Sequence, residues 1–332
     1  MSSPFVLPLG LRRSKPVQPE VIKFVFSLAL MIAGIGAGQV LRRKYAIRTE
    51  VSRAIMRWVT KTCLPVISAL SLWELRLTGP HLLWIPVVGA VISTLAFVPA
   101  FLFGRRLQLT RHQMGSYLGA AMFSNVGYSL GGFVCLVLFG EQGLALAVLY
   151  TLYLFFYMYG IGFPIARSLG SGKERSLWRN FVENMGDPVA FLPLVGAALG
   201  ILLNTSGIHR PHIFSGINQI IAPAATFVTM LAIGLQMKLE APGEHTGAVV
   251  RMLGIKFVYS PLIGVTMALI LGFSDLEMKV ILVEASMPSA ITVLVMAMLF
   301  DLDQRLANLC WIYTTLAFFV FAPFLFVAAR LF

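Results

Sequence analysis

The chain of 332 residues is 58% hydrophobic and 12% charged, with a mean hydropathy of +0.83, more apolar than a soluble globular domain needs to be. Its net charge of +12 comes from 26 Lys and Arg against 14 Asp and Glu, but the cations lie in short segments between apolar runs, which excludes a nucleic-acid-binding domain and fits loops beside an anionic leaflet. Cys63, Cys135 and Cys310 fall in apolar runs, His81, His112, His209, His212 and His245 fall in expected loops, and no HExxH, Walker A or GxSxG pattern occurs, so neither an enzyme nor a metal or cofactor site is expected.

In chain order, Arg12, Arg13 and Lys15 precede an apolar run over 21–41. The run reaches spanning length and ends in Arg42, Arg43 and Lys44, a stop-transfer flank rather than a cleavage site. Further spans are predicted over 52–73, 82–104, 115–139 and 142–167. On the second, Arg53, Arg57 and Lys61 form a stripe at four-residue spacing, read as an anchor at the inner interface within reach of lipid headgroups. The fourth is interrupted halfway by Ser124, Asn125, Gly127, Gly131 and Gly132.

After a flexible, cytoplasmic connection over 168–187, five more spans are predicted over 188–203, 217–237, 248–271, 279–300 and 306–329. Asp187 and Pro188 supply an N-cap and first-turn pair for the sixth. Lys256 in the eighth is expected to snorkel to the inner interface. The ninth carries Glu284 and then Pro288 near mid-depth.

Sliding the chain over itself by 162 residues superposes Gly34 on Gly196, Gly38 on Gly200, Pro99 on Pro261, Ser124 on Ser286, Gln142 on Gln304 and Phe156 on Phe318. Only the second span of each half slips, with Pro65 matching Pro223 at an offset of 158. Five spans per half is an odd number, so the halves are expected to be inverted copies: 1–167 with its tail, the connection 168–187, and 188–332. The fold class expected is an all-α integral membrane protein of ten spans in two inverted five-helix repeats, with spans four and nine broken and crossed. Connections after odd spans hold most of the Lys and Arg, which puts them inside and both ends of the chain outside.

At 1.5 Å per residue, Asn125 lies about 15 Å into its span, near the middle of a core about 30 Å thick. Unwound backbone survives there only inside protein or beside a wet cavity. Two matched breaks can cross and aim the N-termini of the restarting half-helices at one point that suits an anion. Asn125, Gly127, Ser286, Pro288 and Ser289 are therefore the candidate substrate-binding residues. Glu284, an acid one turn from the crossing, is the candidate for coupling transport to proton movement.

The segments MFSNVGYSLGGF, LVEASMPSAITVLVMAMLFDLD and APAATFVTMLAIGLQM resemble the auxin efflux carrier family of membrane transport proteins. The resemblance implies a scaffold of spans one, two, six and seven that also joins a homodimer, a moving domain of the other six, and elevator-like alternating access. It implies a permease for small organic anions of the carboxylate class in the cell membrane, with lipid and a second copy as partners and no nucleic acid. Asn125 and Gly127 match the asparagine-containing break of span four, and Pro288 matches the proline of span nine. Ser129, Leu130, Gly131 and Gly132 stand where a proline is usual a few residues after the asparagine. A sodium-coupled bile-acid-type symporter and a membrane receptor that binds a similar ligand without moving it are the alternatives.

Overall fold

A computed structural model describes residues 19–47, 49–76, 79–170, 188–214 and 216–331. The N-terminal tail, Asp187 and most of the 168–187 connection lie outside the described residues. Among the described residues the regular structure is helical, with one isolated antiparallel bridge between Ser124 and Ser289. Six stretches, Val21–Tyr45, Pro80–Arg106, Leu130–Leu169, His212–Gln236, Gly243–Ile270 and Gln304–Ala329, are long and apolar enough to cross a membrane.

Helices α1 (Pro19–Tyr45), α2 (Thr49–Trp73) and α3 (Trp84–Arg106) open the chain. Then α4 (Arg111–Met122) stops at an extended stretch, and α5 (Leu130–Thr151) begins after it. Gly140 bends α5 with φ 70 and ψ −158, a left-handed conformation without cost for a residue that lacks Cβ, so one helical run covers the end of the expected fourth span and the start of the fifth. The rest of the fifth is α6 (Tyr153–Tyr157) and α7 (Phe163–Leu169), joined by a π-helical turn.

The second part of the chain holds α8 (Pro188–Thr205), α9 (Ile217–Gln236), α10 (Thr246–Gly254) and α11 (Ser260–Ile270), the last two joined by another π turn over Ile255–Tyr259. It ends with α12 (Asp275–Ala285), α13 (Thr292–Leu299) and α14 (Gln304–Leu331). Capping boxes set where α4 and α12 begin. Thr110 exchanges bonds with Gln113, and Ser274 with Glu277, which satisfies backbone donors that a helix start would otherwise leave open. Both helices therefore begin four residues before the expected spans, and His112 lies in a helix rather than a loop.

Small residues set the closest helix approaches. A side chain at Gly34 would meet Phe227 and Met230 of α9, and one at Gly38 would overlap the backbone at Leu231. In the same way Gly196 and Gly200 of α8 press on the α2 backbone at Pro65 and Ala69. Such contacts bring helix backbones together where lipid supplies no hydrophobic drive for association. The partners Pro65 and Phe227, and likewise Ala69 and Leu231, stand 162 residues apart, so packing keeps the offset from which the proline match departs.

Candidate functional site

The ends of the two broken helices meet. The Asn125 amide donates to Pro288 O at 2.8 Å, and the Ala290 amide donates to Phe123 O at 3.0 Å, flanking the Ser124–Ser289 bridge. Two extended stretches pair as a miniature antiparallel ladder, which satisfies backbone groups that apolar surroundings would penalise. Beyond this ladder α5 restarts at Leu130 and α13 at Thr292.

Beside the crossing lies a cavity of about 260 Å³. Its walls come from the middle of α2 (Met56, Thr60, Leu64), the first turns of α8 (Pro193, Leu194) and Thr229 of α9. The crossing contributes Ser124, Asn125, Ser129 and Thr292, and the α5–α6 run contributes Thr151, Phe155 and Met158. The wall is mostly apolar, with seven hydroxyl side chains and one amide among its residues, a composition suited to a small-molecule site. None of its side chains carries a formal charge.

Of the expected site residues, only Asn125 lines this cavity. Its Oδ1 accepts a 2.5 Å bond from Ser129 Oγ, and among the described residues its Nδ2 has no hydrogen-bond partner. Gly127 lies behind the wall with φ 65, and a Cβ there would overlap the Thr151 side chain, so glycine is required twice over. Pro288 contributes its carbonyl to the ladder.

Ser286 and Ser289 face the protein interior. Ser286 Oγ donates to Leu282 O at 2.7 Å within its own helix. Ser289, fully buried, donates to Ala120 O at 2.8 Å and accepts nothing from the cavity side, while its amide donates to Thr314 Oγ1 at 3.1 Å. Glu284 is also fully buried, and its Oε2 accepts the Gly127 amide at 2.8 Å. Gly131 leaves the room that this carboxylate fills. Glu284 is thus joined to the backbone of the first break, one layer behind the cavity.

The expectation that Lys256 snorkels to an interface is overturned. It has no exposed surface, and its Nζ donates to Ala121 O at 2.8 Å, Phe123 O at 3.2 Å and Ser124 Oγ at 2.8 Å. The span begins at Thr246, so Lys256 lies about 15 Å into it, level with the crossing. Its carbonyl partners close α4, where the dipole is negative and offsets part of the desolvation cost. Thr60, Ser124, Thr229 and Lys256 join the site without being among the expected site residues; for Lys256 the signal in the sequence is a lysine ten residues inside an apolar span.

The cavity lies on one side of the crossing. Toward the opposite end, Arg210, whose side chain is 6% exposed, pairs with Glu141 at 2.6 Å and with Glu74. Gln142 accepts from the Arg76 amide at 3.0 Å and donates to Glu74 O at 2.8 Å. These bonds tie the bend at Gly140 to the end of α2.

A family model for membrane transport proteins matches residues 189–326. An uncharacterized transporter of Methanothermobacter thermautotrophicus is 27% identical over 287 residues, covering 86% of this chain and 92% of that protein. An uncharacterized transporter of Methanocaldococcus jannaschii is 30% identical over 245 residues, covering 72% of this chain and 76% of that protein. A probable auxin efflux carrier component 5b of Oryza sativa subsp. japonica is 26% identical over 145 residues, covering 43% of this chain and 39% of that protein.

Proposed function

The chain belongs to the auxin efflux carrier family of membrane transport proteins, and from that premise we propose that it is a permease for small organic anions of the carboxylate class, working by elevator-type alternating access. It is a multi-pass membrane transporter and not an enzyme. The observation that carries the substrate class is the polarity of the cavity at the crossing. Ser129 occupies the acceptor atom of Asn125, so the amide hydrogens are what Asn125 presents, beside the N-termini where α5 and α13 restart. Donors and positive dipole ends around a small cavity favour an anion.

The reading takes the ten spans as two inverted repeats, with the first, second, sixth and seventh spans as a scaffold that also pairs two copies. The glycine contacts at one constant offset support the repeat. It puts both ends of the chain outside, so the cavity opens inward while the Arg210, Glu141 and Gln142 contacts close the outer end. Asn125 and the backbone beside Gly127 and Pro288 are the proposed contacts, joined by Ser124 and Thr60; Ser286 and Ser289 serve the crossing from behind.

Purified protein screened by thermal shift against mono- and dicarboxylates should gain stability in proportion to the logarithm of the concentration of one of them. No response across the panel would remove the anion reading. Uptake into proteoliposomes separates a carrier from a receptor, and flux that needs sodium would favour the bile-acid-type alternative. Glu284 is the proposed coupling residue. In Glu284→Gln, exchange should persist while accumulation driven by a proton gradient is lost; undiminished accumulation would release Glu284 from that role.

A further inference from the structure

Lys256 is a buried ionisable side chain to which the transport reading gives no task. Two of its three bonds, to Ala121 O and Phe123 O, would suffice to close α4. The third reaches Ser124 Oγ at 2.8 Å, and Ser124 lines the cavity. That bond decides what Ser124 can do. An ammonium has hydrogens to donate and no lone pair to offer, so Ser124 Oγ accepts from it and keeps its own hydrogen for another partner. Asn125, the next residue, is turned the same way by Ser129. Two adjacent wall residues thus offer hydrogens to one space, one of them with the Lys256 amine, bonded to three acceptors, behind it.

We propose that Lys256 is a positioning residue for the substrate, holding Ser124 as a polarised donor to a carboxylate oxygen from one hydroxyl behind the cavity wall. This rests on the carboxylate reading of the cavity. Lys256 does not touch the substrate. Its charge makes the Ser124 hydrogen more positive, and hydrogen bonds in such a chain strengthen one another where water is scarce. The arrangement keeps the cation from collapsing onto the substrate as a tight ion pair, which would slow release, while still favouring an anion over a neutral molecule of the same shape.

The test uses the purified full chain, with malonate as probe and malonamide as its uncharged control, against wild type, Ser124→Ala, Lys256→Met and the double variant. Malonate affinity should fall roughly 5- to 150-fold in each single variant, the range for one lost polar contact. The double variant should lose no more than the worse single one, because the two residues act through one bond. Malonamide affinity should fall clearly less than malonate affinity in each variant, because its neutral carbonyl accepts the Ser124 hydrogen more weakly, and Lys256→Arg should keep most of the preference for malonate. Additive losses, or equal losses for malonate and malonamide, would mean that Lys256 only anchors α4, and would overturn the proposal. If Lys256→Met does not fold, Ser124→Ala decides alone: undiminished malonate affinity there overturns it. Wild type that binds no carboxylate defeats the carboxylate reading itself, whereas wild type that binds malonate with both variants unaffected defeats only the role of Lys256.

Discussion

The two breaks in the helical chain are made of similar residues put to different uses. In the first, Ser124, Asn125 and Ser129 turn toward the cavity. In the second, Ser286 returns its hydroxyl to its own helix, and Ser289 donates across to Ala120 O. Charges divide similarly: Lys256 holds the end of α4 and Glu284 holds the Gly127 amide, so these two buried side chains are committed to the first break. Repetition in sequence therefore does not imply equal shares of a site. The first break supplies most of the crossing's polar side chains on the cavity wall, whereas the second adds Thr292 and otherwise supplies backbone and hydroxyls that keep the crossing in place.

The largest effect should come from the backbone of the first break. Gly127 at φ 65 has the Thr151 side chain where a Cβ would be, whereas Gly140 at φ 70 has nothing within 4 Å of that position. Gly140→Ala should cost about 1 to 3 kcal/mol from its positive-φ conformation alone. Gly127→Ala adds an overlap inside a packed core worth about 1 to 3 kcal/mol more. Thermal unfolding of the two variants in one detergent measures the difference. Equal melting temperatures would mean that the first break can yield around Thr151.

Next in size is a test of the division itself. Ser289→Ala leaves the buried Ala120 carbonyl without that donor, at a cost of about 1 to 3 kcal/mol in stability, while ligand affinity stays near wild type. Asn125→Ala should do the reverse, leaving stability within about 0.5 kcal/mol because the side chain faces the cavity, and weakening carboxylate binding roughly 5- to 150-fold. Calorimetric titration alongside a melting curve reads both. A Ser289→Ala variant that loses affinity but keeps its stability would return the second break to the binding surface.

Much of this was legible in the sequence, and what was not had physical reasons. Apolar length marked the helices, and the polar interruptions at Asn125 and Pro288 marked the crossing, because unwound backbone in an apolar setting needs partners. Helix starts were misjudged by four residues, since the capping boxes at Thr110 and Ser274 lie in polar stretches outside the apolar runs that define a span. The signature was present and outweighed by hydropathy. Ser286 and Ser289 could not be assigned a direction because a hydroxyl on unwound backbone can turn either way. Lys256 was sent to an interface because a lone buried lysine is costly, and nothing local shows that carbonyls more than 130 residues earlier in the chain offset that cost.

The smallest effect should appear at the bend near Gly140, and it separates a fastening that holds this conformer from a surface contact. Gln142 bonds to two backbone groups at the end of α2, the Arg76 amide and Glu74 O, while Gln304, 162 residues later, opens α14 and is exposed. On the elevator reading these bonds exist only while the outer end is closed. Gln142→Ala removes both from a partly hydrated setting, so about 0.5 to 1.5 kcal/mol of support for this conformer should go, a shift of roughly 2- to 12-fold in the balance between conformers. Thr60 lies on the cavity wall and reports that balance. In a Cys63→Ala background, a cysteine replacing Thr60 should react more slowly with a maleimide supplied from the inner side once Gln142→Ala is added, while Gln304→Ala should leave the rate within about twofold. An unchanged rate in the Gln142→Ala protein would mean that the bend at Gly140 bears no conformational load, and that closure of the outer end rests on Arg210 with Glu74 and Glu141 alone.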